Sequence, residues 1–206
     1  TVNANGTLAG TGFIAGPVWC AGTIAPGVSV GTLTLEGGLD LSAGGANEWE
    51  LGALTTDGAG VNFDQLALTD GELILGGTSR LKVTFTGNAG PPNAAEPFWL
   101  MSHRWKIVSL SGPATNPGGA QFSEIVNGSY ATGSFTNFAD AAGNIWLAYR
   151  AVPAPPPRIQ TVSLTPAGEI VLSFNTEPNR SYVLQYATNL SQPNWVDLST
   201  NLAPAT

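Results

Sequence analysis

Hydrophobic positions in the first 85 residues come in short runs that glycine cuts off: Gly6-Thr7-Leu8-Ala9-Gly10, Gly12-Phe13-Ile14-Ala15-Gly16, Gly22-Thr23-Ile24-Ala25-Pro26-Gly27 and Gly31-Thr32-Leu33-Thr34-Leu35. Aliphatic and β-branched runs of this length, bounded by glycine, read as strands and are too short for helices. The rhythm continues through Gly38-Leu39-Asp40-Leu41, Trp49-Glu50-Leu51, Phe63 to Leu68, Glu72 to Gly77 and Leu81-Lys82-Val83-Thr84-Phe85. Within these runs Leu39 and Leu41 oppose Asp40, and Leu81, Val83 and Phe85 oppose Lys82 and Thr84, so each strand has a dry face and a wet face. Isolated hairpins of such short strands are not stable. Stacked coils are, because successive turns bury alternate side chains in a shared interior. The pattern therefore predicts an all-β chain that opens with a parallel β-helix of degenerate repeat, the glycine-led units being irregularly spaced.

Residues Gly87 to Pro97 contain two consecutive prolines and no periodicity, which predicts a loop that leaves the coil surface. Strand signals resume at Trp105 to Leu110, Ala120 to Val126 and Ile145 to Arg150, and this bulkier, aromatic end suits a cap over the last coil. Pro153-Ala154-Pro155-Pro156-Pro157 favours extended polyproline II and reads as a semi-rigid linker. Beyond it, Ile159 to Thr165, Glu169 to Asn175 and Ser181 to Ala187 read as three strands, separated by Pro166-Ala167-Gly168 and Glu177-Pro178-Asn179-Arg180, the last two being neighbours in a meander. The expected organisation is a β-helix with an aromatic cap over 1–152, a linker over 153–157 and a small module over 158–206.

The stretches Gly22 to Gly27, Gly31 to Leu35, Phe63-Asp64-Gln65-Leu66 and Gly71-Glu72-Leu73-Ile74-Leu75-Gly76-Gly77 resemble the autotransporter-associated β-strand repeat region of large bacterial surface proteins. That resemblance implies a right-handed parallel β-helix exposed outside the cell, often adhesive or structural. Ser181-Tyr182-Val183-Leu184-Gln185-Tyr186-Ala187-Thr188-Asn189-Leu190, followed by Trp195, is similar to the immunoglobulin- or fibronectin-like β-sandwich module appended to such chains. Its 49 residues from Arg158 are short for a sandwich of about 100, and Thr1 falls within a repeat. A fragment of a longer chain, or an element completed by another copy, is the expectation.

Composition sharpens this picture. Of 206 residues 43% are hydrophobic and only 10% charged, with 26 glycines and 15 prolines, so a core is affordable, turns are frequent and long amphipathic helices are not expected. Seven basic against fourteen acidic residues give a formal charge of -7, which repels nucleic acid and anionic lipid. No apolar run approaches the length of a membrane-spanning helix, and the N-terminus lacks a signal-peptide layout. Cys20 is the sole cysteine, which excludes an internal disulfide and suits a small side chain facing a core.

Candidate chemistry is sparse. Gly10-Thr11-Gly12-Phe13-Ile14-Ala15 matches a dinucleotide fingerprint by spacing but lacks both the preceding buried strand and the following helix. His103 is the only histidine, which excludes multi-histidine metal sites and suits a surface or cap residue. The pairs Glu48/Glu50 and Asp70/Glu72 are the acids that a polysaccharide-cleaving site would need, although i,i+2 acids on a strand usually only solubilise it. Asp57, Asn62, Asp64 and Asp70 raise a calcium reading, but no loop motif for that ion is present, and turn residues capping strand ends are the reading preferred. Asn5, Asn127, Asn179 and Asn189 stand in glycosylation sequons of a chain read as bacterial, where chance accounts for them. The most plausible functional patch is a glycan-binding one formed by Phe98, Trp99, Trp105 and Lys106, with His103 and Arg104 between. The alternative, which strand alternation favours, turns Trp105 and Ile107 inward and leaves only Arg104 and Lys106 in solvent. The expected function is a non-enzymatic structural or adhesive component of a secreted or cell-surface protein, with no cofactor or metal, self-associating end to end into an oligomer or filament or associating with other surface proteins. A carbohydrate-binding module, and less so a β-helical polysaccharide-degrading enzyme, are the alternatives.

Overall fold

A computed structural model describes residues 1–153, 155–176, 181–189 and 191–202, and it is all-β, with nineteen strands and two single-turn 3-10 segments. Two compact units divide the chain, one of residues 1–93 and 98–152 and one of residues 94–97 and 153–206.

In the first unit the chain lays strands onto three sheets in a fixed order. The first sheet holds β1 (Thr7–Gly10), β4 (Thr23–Pro26), β7 (Ala46–Leu51), β10 (Arg80–Phe85) and β12 (Glu124–Val126). The second holds β2 (Gly12–Ile14), β5 (Thr32–Leu35), β8 (Gln65–Leu68) and β11 (His103–Leu110), and the third β3 (Val18–Trp19), β6 (Leu39–Asp40) and β9 (Leu73–Ile74). Every pairing among these strands is parallel. First, second and third sheet are thus visited in that order three times, and the equivalent positions Thr7, Thr23, Ala46, Arg80 and Glu124 fall at widening intervals. Loops of growing length between coils account for the irregular spacing of the glycine-led units.

Register aligns the inward side chains into columns. Leu33, Leu66 and Val108 form one, Leu35, Leu68 and Leu110 a second, and Val18, Leu39 and Leu73 a third. All but the half-buried Leu110 are buried, and removal of this apolar surface from water is the main driving force for the stack. Cys20 is buried, and burial pushes its thiol up. Asn47 interrupts the column of Ile24 and Leu81: its buried amide has no hydrogen-bond partner among the described residues.

Two glycines show why small residues punctuate the coils. The carbonyl oxygens of Gly6, Gly22 and Gly45 accept from Thr23, Ala46 and Arg80 of the next coil at 2.9, 2.8 and 3.0 Å. A Cβ at Gly22 would collide with the carbonyl oxygen of Gly6, and one at Gly45 with that of Cys20. Only hydrogen fits where backbone stacks on backbone.

The far edge of the second sheet is built differently. β11 pairs antiparallel with β15 (Ile145–Ala151), which pairs antiparallel with β14 (Gly133–Ala139) and that with β13 (Ser129–Tyr130). A bulge between Lys106 and Val108 lets Trp105, Ile107 and Val108 all face inward, although strict alternation would expose one of them. The strand expected over Ala120 to Val126 is shorter, because the amide of Asn137 takes both the N–H and the C=O of Phe122, at 2.9 and 3.2 Å. The first part of the 87–97 loop does not leave the surface, since Ala89 is buried in the core and Trp99 Nε1 donates to the Gly90 carbonyl at 3.2 Å, whereas residues 94–97 group with the second unit.

The second unit contains two antiparallel hairpins, β16 (Ile159–Leu164) with β17 (Ile170–Phe174) and β18 (Ser181–Tyr186) with β19 (Val196–Leu202). Pro166-Ala167-Gly168 turns the first as expected, with Gly168 at φ +84° donating to Thr165 at 2.9 Å. Among the described residues the expected pairing of the second and third strands is not formed: β17 pairs back to β16, and β18 pairs forward to a strand that sequence reading missed. An Asx turn in which Asn189 Oδ1 accepts from Ser191 at 2.9 Å starts that reversal. The Glu177 to Arg180 turn, with the Asn179 sequon, lies outside the described residues.

Candidate functional site

Alternation along His103-Arg104-Trp105-Lys106-Ile107 sorts the expected glycan patch. Trp105 and Trp99 are both 0% exposed, so neither ring can stack on a sugar, and this part of the expectation is corrected. Their indole N–H groups are satisfied internally, Trp105 by the Thr55 carbonyl at 2.7 Å and Trp99 by Gly90. Both rings belong to an aromatic cluster with Phe135, and Trp99 packs edge-on to Tyr149 at 4.9 Å. Packed against Phe135 and Tyr149, the two tryptophans fill buried space in the core. Phe98 is half-buried under His103, the rings stacked at 3.7 Å with His103 Nε2 donating to the Phe98 carbonyl at 2.6 Å. Of the four candidates only Lys106 stands on an open face.

That face is the outer side of β14, β15 and β11, and sequence reading did not single out its central residue. Register sets Phe138 beside Trp146 beside Lys106, and Thr136 beside Ala148 beside Arg104, with Arg150 facing Ser134. Trp146 is held from several directions. Its Nε1 donates to Asp140 Oδ2 at 2.8 Å, Phe138 lies nearly parallel at 6.5 Å and 9°, and Arg104 and Lys106 sit over its ring at 5.6 and 5.3 Å. An open groove of about 790 Å³ runs over this face, lined among others by Asp57, His103, Arg104, Phe138, Trp146 and Arg150. The Trp146 N–H, then the Asn144 amide, hold the Asp140 carboxyl below the usual carboxylate range. The signal that could have found Trp146 lies in Ile145-Trp146-Leu147-Ala148-Tyr149-Arg150, where a large ring sits on the polar side of an alternating strand.

The acids are dispersed. Glu48 and Glu50 share the outer face of β7 and line a groove of about 320 Å³ with Ala25 and Pro26. Glu48 is paired with Lys82 at 2.8 Å, and burial, then the neighbouring Glu48, raises the Glu50 carboxyl. Asp70 accepts its own turn's Gly71 N–H at 2.6 Å, while Glu72 lines a separate groove with Trp19 and Asp40. The calcium set is not assembled. Asn62 Nδ2 donates to the Asp57 carbonyl at 3.0 Å, whereas Asp64 is buried and accepts from Gly31 at 2.7 Å and Glu50 at 3.0 Å. Among the described residues no group of three or more His, Cys, Asp or Glu could hold a metal ion.

Asp64 instead ties the backbone just before β5 to that of β7. Burial pushes its carboxyl up to about 7, against the lowering effect of the two N–H donors, and the charges of Glu50 and Glu48 add to the rise. The Gly10 to Ala15 fingerprint spans the corner from β1 to β2, with no helix for a pyrophosphate. Comparison of the chain with known protein families, with curated proteins and with solved structures gives no match.

Proposed function

We propose that residues 1–152 wind as a right-handed parallel β-helix and serve as a rigid, non-enzymatic stalk in a bacterial secreted or cell-surface protein of the autotransporter-associated repeat type. The hairpins after the proline-rich linker belong, in this reading, to an immunoglobulin- or fibronectin-like sandwich. The observation that carries the proposal is the repeated visit to three parallel sheets in one order, which makes each coil a platform for the next. Low charge and a single buried cysteine suit export, and no helix among the described residues is long and apolar enough to cross a membrane. A stalk also needs somewhere to extend. β1 and β2 each pair on one side only among the described residues, and Phe13 on β2 is 59% exposed. Such an edge accepts a further coil, from the same polypeptide or from a second copy.

Two readouts test the proposal. Antibody labelling of intact cells of the source organism is expected without permeabilisation, and labelling only after lysis would contradict an exported stalk. Light scattering on the purified chain is expected to show mass above the monomer that rises with concentration and falls back in Phe13→Lys. Monomer alone at high concentration would remove end-to-end assembly.

A further inference from the structure

We infer that the outer face of β11, β14 and β15 binds an acidic polysaccharide. The inference does not depend on the stalk reading, because the face is complete whether or not the coils act as a spacer.

Charge carries the argument. The chain has only seven lysines and arginines and a formal charge of -7, yet Arg104, Lys106 and Arg150 stand together on two neighbouring strands. None of the three forms an ion pair among the described residues, where the single pair is Lys82 with Glu48. Arg104 and Lys106 are two positions apart on β11, hence about 7 Å apart along the strand, and Arg150 lies two positions beyond the partner of Arg104. Spread cations of this kind match charges repeated along a polymer better than one small anion. Two carboxylates oppose them. Asp57 lines the groove, and Asp140 is engaged by Trp146, by Asn144 and by the Ala142 N–H at 2.9 Å.

The aromatic component separates a sugar from a bare polyanion. Phe138 and Trp146 are nearly parallel and both line the groove, and Trp146 is fixed by its bond to Asp140 with Arg104 and Lys106 over its ring, so apolar ring atoms and cations are offered side by side, as the mixed apolar and acidic surface of such a sugar requires. Nucleic acid fits less well. A duplex carries one negative charge per about 1.7 Å of axis, and a long phosphate backbone would run from this small patch onto a surface of the opposite preference. A polysaccharide with one acid group per sugar has lower charge density.

The test is isothermal titration of the full chain with alginate oligomers (carboxylate), heparin oligomers (sulfate), neutral cello-oligomers and single-stranded DNA. Binding to alginate, heparin or both is expected, at least tenfold tighter than to the neutral oligomers or DNA, and the two acidic arms tell carboxylate from sulfate recognition. Arg104→Gln with Arg150→Gln, and separately Trp146→Phe, should each weaken binding at least tenfold with unchanged near-ultraviolet circular dichroism. If a variant misfolds, loss of wild-type binding at about 0.5 M salt and its reduction in Lys106→Gln are the expected substitutes. No acidic oligomer bound, equal affinity for the neutral ones, tighter binding of DNA, or affinity indifferent to these substitutions and to salt would overturn the inference.

Discussion

Trp105→Ala is expected to lower the stability of the first unit by about 3–5 kcal/mol, whereas Trp146→Ala, one strand away, costs on the order of 1 kcal/mol. Both are tryptophans on paired strands. Trp105 points into the fourth coil, where it meets Trp49 at 5.6 Å, Trp99 at 6.3 Å and Phe135 at 6.2 Å and anchors the Thr55 carbonyl. Its removal leaves a cavity in the aromatic plug and an orphaned carbonyl. Trp146 points outward, and its loss breaks one hydrogen bond to an acid that keeps its other donors. In a unit of this size the difference corresponds to a fall in midpoint on the order of 10 °C for Trp105→Ala. Thermal unfolding followed by near-ultraviolet circular dichroism measures it, and equal midpoints for the two variants would contradict the assignment of inner and outer faces.

Asp64→Ala is the second large effect. Its carboxylate takes the N–H of Gly31 on one coil and of Glu50 on the next segment, so truncation orphans two backbone donors, each worth about 1–3 kcal/mol. Relief of a buried charge offsets part of this at neutral pH, and a net loss of about 2–4 kcal/mol is expected. The carboxyl also fixes a pH dependence. With its folded value raised to about 7 from an ordinary 3.8, the native state holds the proton more tightly than the unfolded chain. Its contribution is therefore fully present below the ordinary value and is lost as pH rises through about 7. Differential scanning calorimetry should show wild-type stability falling across that window relative to Asp64→Asn. Identical pH profiles would mean that Asp64 is ionised in the fold at all these values.

Much of the first unit is legible in the sequence because coil positions have simple demands. Leu39 and Leu41 are buried and Asp40 is not, and Leu81 and Val83 are buried while Lys82 and Thr84 are half-exposed, as their alternation requires. What alternation cannot convey is contact between distant segments. β13 and β14 are missed because Ser129-Tyr130 and Gly133 to Ala139 are too mixed in polarity to stand out, and they are held by pairing with β15. Asn47 gives no inward signal, yet it occupies a column of aliphatic residues. Asp64 reads as a turn acid, and only the stacking of coils shows that it accepts from Gly31.

The candidate site is less legible, for a related reason. A cluster of aromatic residues close in sequence, Phe98 to Trp105, suggests a binding patch, but the end of a coil stack consumes such rings to exclude water. The open face draws its parts from Arg104 and Lys106, from Phe138 and from Trp146 and Arg150, and antiparallel register alone brings them together. Lys106 belongs to both sets because alternation turns it out between two inward residues.

The parallel stacking of coils is tested most directly by nuclear Overhauser spectra of the labelled chain. The fold requires slanted amide-to-Hα contacts that link Leu33 to Leu66 and Leu66 to Val108, with no strong Hα–Hα contacts among β2, β5 and β8. Strong Hα–Hα cross-peaks between chain-consecutive strands such as β4 and β5 would reveal antiparallel hairpins and contradict a shared interior between parallel sheets.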